Sequence, residues 1–138
     1  MNIAENQTQL RQTLIRLEDP PVARALFAEV RRLAAPGQIY LIPPKLQDFR
    51  LATGQPALVD FKAIPYAPGE VLAWYDRIQL AQFFYRDTPA AVNCQLLDRA
   101  AALGVTHVVL EAPQREADCE GLHTLWSGGD FDIDRLGP

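Results

Sequence analysis

Residues 38–66 read QIYLIPPKLQDFRLATGQPALVDFKAIPY. Two short apolar runs, QIYLIPP and PALVDF, bracket a segment of mixed character. Each run is close to continuously apolar, as expected of a strand covered on both faces. Between them, KLQDFRLATG predicts one or two helical turns closed by Gly54. A strand, a crossover and a second strand of this kind predict a parallel pair with a right-handed connection. The chain that follows extends the alternation. EVLAWYDRIQLAQFFY repeats Val71, Trp74, Tyr75, Ile78 and Ala81 at helical spacing. DTPAAVNCQLLDRAAALG predicts a helix with Asp87 or Thr88 as N-cap, Pro89 in its first turn and Gly104 at its end. THVVLEAP predicts a third buried strand. LHTLWSGGDFDIDRL predicts a closing hairpin that turns at Gly128-Gly129.

Upstream, NQTQLRQTLIRLED places Leu10, Leu14 and Leu17 on one helical stripe, which Asp19-Pro20-Pro21 ends. PPVARALFAEVRRLA restarts with Pro21 near the first turn and an apolar face of Val22, Leu26, Phe27, Val30 and Leu33. Arg31 and Arg32 fall in its last turn, where the helix dipole favours cations. The expectation is one domain overall, with a helical segment at 1–36 packed on an α/β domain at 37–138. Its fold class is a small α/β sandwich with a mostly parallel central sheet. Strands 39–43, 57–61 and 106–110 form the centre, the C-terminal hairpin adds antiparallel edge strands, and helices flank the sheet.

Composition narrows the functional classes. The 138 residues are 49% hydrophobic and 22% charged, which suits a globular chain with a core of its own. A net charge of −4 argues against a nucleic-acid partner. No apolar run reaches the roughly 18 residues of a membrane span, and the polar N-terminus lacks a signal core. The sequence thus predicts a soluble chain and assigns it no compartment. No dinucleotide fingerprint, P-loop, zinc-protease or nucleophile-elbow motif is present, so no catalytic residue and no cofactor is predicted.

Residues with chemical potential have scaffold explanations. His107 has no local ligand partners and reads as a satisfied strand histidine. Cys94 and Cys119 are too few for a disulfide framework and are not spaced as a metal knuckle. Cys94 is expected to be a small buried hydrophobe, and Cys119, in READCEG, an exposed thiol blunted by acidic neighbours. Asp130, Asp132 and Asp134 share one face of a strand and are expected to point outward along a sheet edge. They lack the glycine turn and distal glutamate of a calcium loop, and no metal site is predicted.

The candidate site follows from topology. Open parallel sheets bind ligands beyond the carboxyl ends of their strands. The three strand exits carry Lys45, Asp48, Arg50, Asp60, Lys62, Tyr66, Glu111 and Arg115. A guanidinium offers a planar fork to phosphate or carboxylate, and an ammonium a point charge. Trp74 and Arg77, three apart on a helix, share a face, so Arg77 could join the cluster. The candidate ligand-binding residues are Arg50, Lys62, Arg77, Asp60 and Tyr66. The scaffold alternative pairs Arg50 and Lys62 with Asp48, Asp60 or Glu70, or lays them over aromatic rings.

The order of an apolar strand ending in Pro43 or Pro44, Phe49-Arg50, a strand ending in Lys62, and a helix with Trp74 and Arg77 resembles a known pattern. It is similar to the soluble C-terminal domain, itself of unknown function, of bacterial multi-pass, glycosyltransferase-like membrane proteins. The HVVL strand and the hairpin ending in FDIDRL fit it too. The resemblance implies glycosyl transfer in a transmembrane part, with the soluble domain outside the cytoplasm. It also implies that Arg50, Lys62 and Arg77 suit a sugar-phosphate or lipid-phosphate headgroup. The chain departs from the pattern in lacking a transmembrane segment, and so is either a free-standing version or a piece of a longer protein. The function expected is a non-catalytic soluble binding or accessory domain that holds an anionic group, with a membrane protein as a further partner. The alternatives are an enzyme on phosphorylated or glycosylated small molecules, with Asp60 or Glu111 as base, and a structural protein-interaction domain.

Overall fold

A computed structural model describes residues 21–60, 65–86, 90–115 and 118–137. The expected helix around Leu10, Leu14 and Leu17, the expected caps Asp87, Thr88 and Pro89, and Lys62 lie outside the described residues.

The first described helix, α1 (Ala23–Arg32), buries Ala23, Leu26, Phe27 and Val30 at spacings of three, one and three. Its last turn ties outward: Arg31 Nη1 donates to the Ala52 carbonyl at 2.8 Å, and Arg32 pairs with Glu29 one turn back. Val22, expected on the apolar face, is half exposed. The chain then enters β1 (Tyr40–Leu41), both residues buried. α2 (Phe49–Thr53) is the predicted helical turn, and Gly54 closes it at φ +73°, its N–H donating to the Arg50 carbonyl at 2.9 Å. That left-handed cap is available to glycine without a Cβ penalty.

Beyond it come the 17-residue α3 (Pro68–Phe84), α4 (Ala90–Ala102), β2 (His107–Leu110) and the short α5 (Ala112–Arg115). The hairpin β3 (Leu122–Ser127) and β4 (Asp132–Leu136) completes the order. Helices cover both faces of the sheet. α1 packs Leu26, Phe27 and Val30 with Tyr40, Phe49, Val109 and Ile133. α3 and α4 pack Leu80, Phe84 and Leu97 with Leu41, Val108 and Leu110 on the opposite face. Successive strand residues point to opposite faces, so the all-apolar β2 feeds both cores.

The sheet corrects the expectation of a mostly parallel arrangement. Among the described residues it has four strands in the order β1-β2-β4-β3. β1 and β2 are parallel, with Tyr40 opposite His107, whereas β2–β4 and β4–β3 are antiparallel. Of the segment expected as strand 57–61, the described residues 57–60 contribute one parallel bridge, Ala57 opposite Tyr40. Two local features limit the ladder among the described residues. Pro43 and Pro44 bring no N–H to it. The Asp60 carbonyl accepts from the Trp74 indole at 2.9 Å.

The hairpin forms where predicted but does not lie wholly at the edge: its second strand inserts beside β2. Asp132 and Asp134 of β4 therefore line a cavity over the sheet with Leu110, Arg115 and Cys119. Asp134 sits opposite both Val108 and Thr124 and is 4% exposed, which overturns the outward-edge expectation for it, whereas Asp130, in the turn before β4, is exposed. At the turn, Gly128 donates to the Phe131 carbonyl at 2.8 Å. A Cβ there would lie 2.0 Å from the Trp126 ring, so a larger residue would force the indole to move.

The cysteines also differ from expectation. Cys94 on α4 and Cys119 in the loop before β3 form a disulfide with Cα atoms 5.4 Å apart. Counting cysteines could not find this pair, because 25 residues separate them and only packing of α4 under the hairpin brings them together.

Candidate functional site

The carboxyl ends of β1 and β2, where the ligand crevice was expected, are closed by side chains. Tyr85, which caps the end of α3, places its hydroxyl 2.9 Å from the Leu41 carbonyl and 2.6 Å from the Val109 carbonyl. It thus bridges the two strands where their mutual pairing stops. Burial, and then the nearby charge of Glu111, pushes the Tyr85 phenol well above its ordinary range, so it stays a hydrogen-bond donor. Beside it, buried Gln114 accepts from the Glu111 N–H at 3.1 Å and donates to the Phe84 carbonyl at 3.4 Å. Sequence reading missed both residues. The available signal was a tyrosine at the end of a long apolar helix, directly before a chain reversal.

The predicted cations are distributed over separate ion pairs. Lys45 pairs with Glu111 and sits 5.6 Å from the Phe131 ring centre. Arg115 Nε lies 3.0 Å from Asp132 Oδ2, an ion pair whose angle falls short of a hydrogen bond. Arg50 Nη1 lies 3.4 Å from Asp60 Oδ2. Of the expected ligand set, Arg50 and Asp60 are brought together. Tyr66 is fully exposed and Arg77 is half-buried on α3. Neither lines the hollow that holds Arg50, and Lys62 lies outside the described residues.

That hollow is the candidate site. It has a volume of about 560 Å³ and is lined by Gln47, Asp48, Arg50, Gln55 and Asp60, with Gly54 and Pro56 on its rim. Its walls come from neighbouring segments of the chain. α2 presents Arg50, the turn after Gly54 presents Gln55, and the Trp74 indole anchors the backbone of Asp60. The Arg50 side chain is 60% exposed and its contact with Asp60 is long for a charge-assisted bond, which usually spans about 2.7–2.9 Å. The arrangement therefore offers a fork of N–H donors that an incoming anion can recruit, together with amide and carboxylate groups able to bond hydroxyls.

His107 has a structural role. It is buried, stacks on Tyr40 at 5.0 Å between ring centres, and has Nδ1 2.7 Å from Thr106 Oγ1. Burial, and then the charge of Arg135, holds it below the usual histidine range. Among the described residues, no group of three or more histidine, cysteine or acidic side chains is arranged to hold a metal ion. None of the described helices is long and apolar enough to cross a membrane.

Comparison with known proteins adds a family for part of the chain. A family described as a domain of unknown function, DUF6798, matches residues 23–81, from the first residue of α1 into the second half of α3. That stretch includes β1, α2 and the described residues of the Arg50 hollow. No curated protein and no solved structure matches the chain.

Proposed function

We propose that the chain is a non-catalytic binding domain that holds the phosphate of a sugar or lipid carrier in the Arg50 hollow. The observation that carries this reading is the Arg50 guanidinium, exposed over 60% of its side chain on the wall of an open hollow. A phosphate accepts two parallel N–H bonds from such a fork, a stronger arrangement than one 3.4 Å contact with Asp60. Gln47 and Gln55 supply amide donors, and Asp60 can turn its carboxylate to sugar hydroxyls. The resemblance to soluble domains of glycosyltransferase-like membrane proteins supports the choice of a carrier phosphate over other anions.

Thermal unfolding in the presence of inorganic phosphate, glucose 1-phosphate and a nucleotide sugar tests the reading. A ligand confined to the native state adds about 2.7 kcal/mol at a hundredfold excess over Kd. Saturable stabilisation that disappears in Arg50→Ala is the expected result. An unchanged melting temperature at millimolar ligand, or equal stabilisation of Arg50→Ala, sinks it.

A further inference from the structure

The Cys94–Cys119 disulfide lies at the wall of an open cavity of about 440 Å³. Both cysteines are partly buried and both line that cavity. Three carboxylates share the cavity wall with it: Asp98, Asp118 and Glu120, all exposed. Their placement follows from the chain. Asp98 sits four residues after Cys94 on α4 and so shares its helical face. Asp118 and Glu120 flank Cys119 directly. The other described lining residues are apolar or glycine, with no lysine, arginine or histidine among them. The far side of Cys119 borders a second cavity, where Asp118, Asp132 and Asp134 outnumber the single cation Arg115.

Disulfides are cleaved by thiolates. The attacking sulfur approaches along the S–S axis, and its rate depends on thiolate fraction, leaving group and access. Here the attacker must pass a wall whose described charged residues are all acidic, with His123 and Arg135 adjoining it at Gly137. Three carboxylates on the same cavity wall raise the local barrier for an anionic reagent and lower it for one that carries a compensating positive charge.

We propose that the disulfide is a redox modification site whose acidic surround selects its thiol partner, excluding anionic thiols and admitting cationic ones. The step is ordinary exchange. The thiolate of a small amino-thiol attacks one sulfur, the S–S bond breaks, and the other cysteine leaves as a thiolate that takes up a proton. A second thiol then resolves the mixed disulfide, leaving both cysteines reduced and the amino-thiol oxidised to its own disulfide. A thiol pool that is mainly anionic therefore leaves the loop at 118–121 clamped to α4.

The test measures reduction of the native protein by cysteamine, 2-mercaptoethanol and 3-mercaptopropionate, followed by mass spectrometry after alkylation. Rates are normalised to thiolate concentration and to the same thiols acting on neutral hydroxyethyl disulfide. The expected cysteamine-to-mercaptopropionate ratio at low salt is about tenfold above that control, falling toward it as added salt shortens the screening length. Asp98→Asn with Glu120→Gln lowers the ratio as well. Should those variants fail to fold, the salt series on the unaltered protein decides alone. A ratio equal to the control, a ratio insensitive to salt, or a rate independent of thiol identity overturns the proposal. The last result would mean that the bond is reached only through unfolding.

Discussion

Cys94 and Cys119 are joined across 25 residues, and the bond holds the entry of the C-terminal hairpin against α4. Both partners stand outside the fragments that sequence periodicity reads well, one on the flank of a helix and the other in a loop. A cross-link of this kind acts mainly by restricting the unfolded chain. Disulfides persist chiefly in oxidising compartments.

The disulfide is therefore expected to contribute about 3.5 kcal/mol, from the loop-closure entropy of 25 residues. Denaturant unfolding of Cys94→Ala measures it against the oxidised protein. Thiol titration of the native, oxidised protein should find no free thiol, and two after reduction. Two reactive thiols before reduction contradict the pairing.

Asp134 should make stability pH-dependent in an unusual direction. Burial, and then the neighbouring charge of Asp132, raises its carboxyl above the ordinary 3.8, while a bond from Thr124 and the charges of Arg115 and His123 oppose that rise. A carboxyl raised in the folded state contributes stability that is fully present below 3.8 and lost as pH rises through the folded value. At neutral pH the buried charge is a cost. Asp134→Asn is expected to melt higher than the parent at pH 7, with the gap closing as pH falls below 3.8. Melting curves over pH 3–7 check the sign; the contribution of His107 is common to both proteins and cancels in the difference. A gap that widens in acid contradicts the assignment.

Tyr85 and Tyr40 should respond oppositely to loss of their hydroxyls. The Tyr85 hydroxyl serves the carbonyls of Leu41 and Val109, so Tyr85→Phe leaves a strand-end carbonyl unpaired at a cost of about 1–3 kcal/mol. The Tyr40 hydroxyl is buried with no hydrogen-bond partner among the described residues, and burial pushes its phenol up to about 12. Tyr40→Phe is expected to be neutral or stabilising. Urea midpoints for the two variants give the comparison, and equal losses would refute it.

Gly128→Ala should loosen the hairpin turn. The added methyl lands 2.0 Å from the Trp126 ring, which must move off the turn and away from Phe131 and Ile133. Overpacking of this order costs about 1–3 kcal/mol. A red-shifted tryptophan emission together with lower stability is the expected signature. Unchanged emission would place the indole elsewhere.

The sequence by itself determined the elements whose causes are local. α1 follows from Leu26, Phe27 and Val30 recurring on one helical face, α2 from the stop at Gly54, and the hairpin from Gly128-Gly129 between two alternating runs. It also brought Arg50 and Asp60 within reach as a candidate pair, since ten residues and one helical turn separate them. Only the tertiary structure decided which strand lies beside which. Periodicity marks Asp132 and Asp134 as sharing a face but does not say what covers that face, and the insertion of β4 beside β2 turned an edge into an interior. Tyr85 closing the crevice and Cys94 meeting Cys119 have the same origin. Each contact joins residues 24 or more apart, and its energy is realised only after the intervening helices have packed.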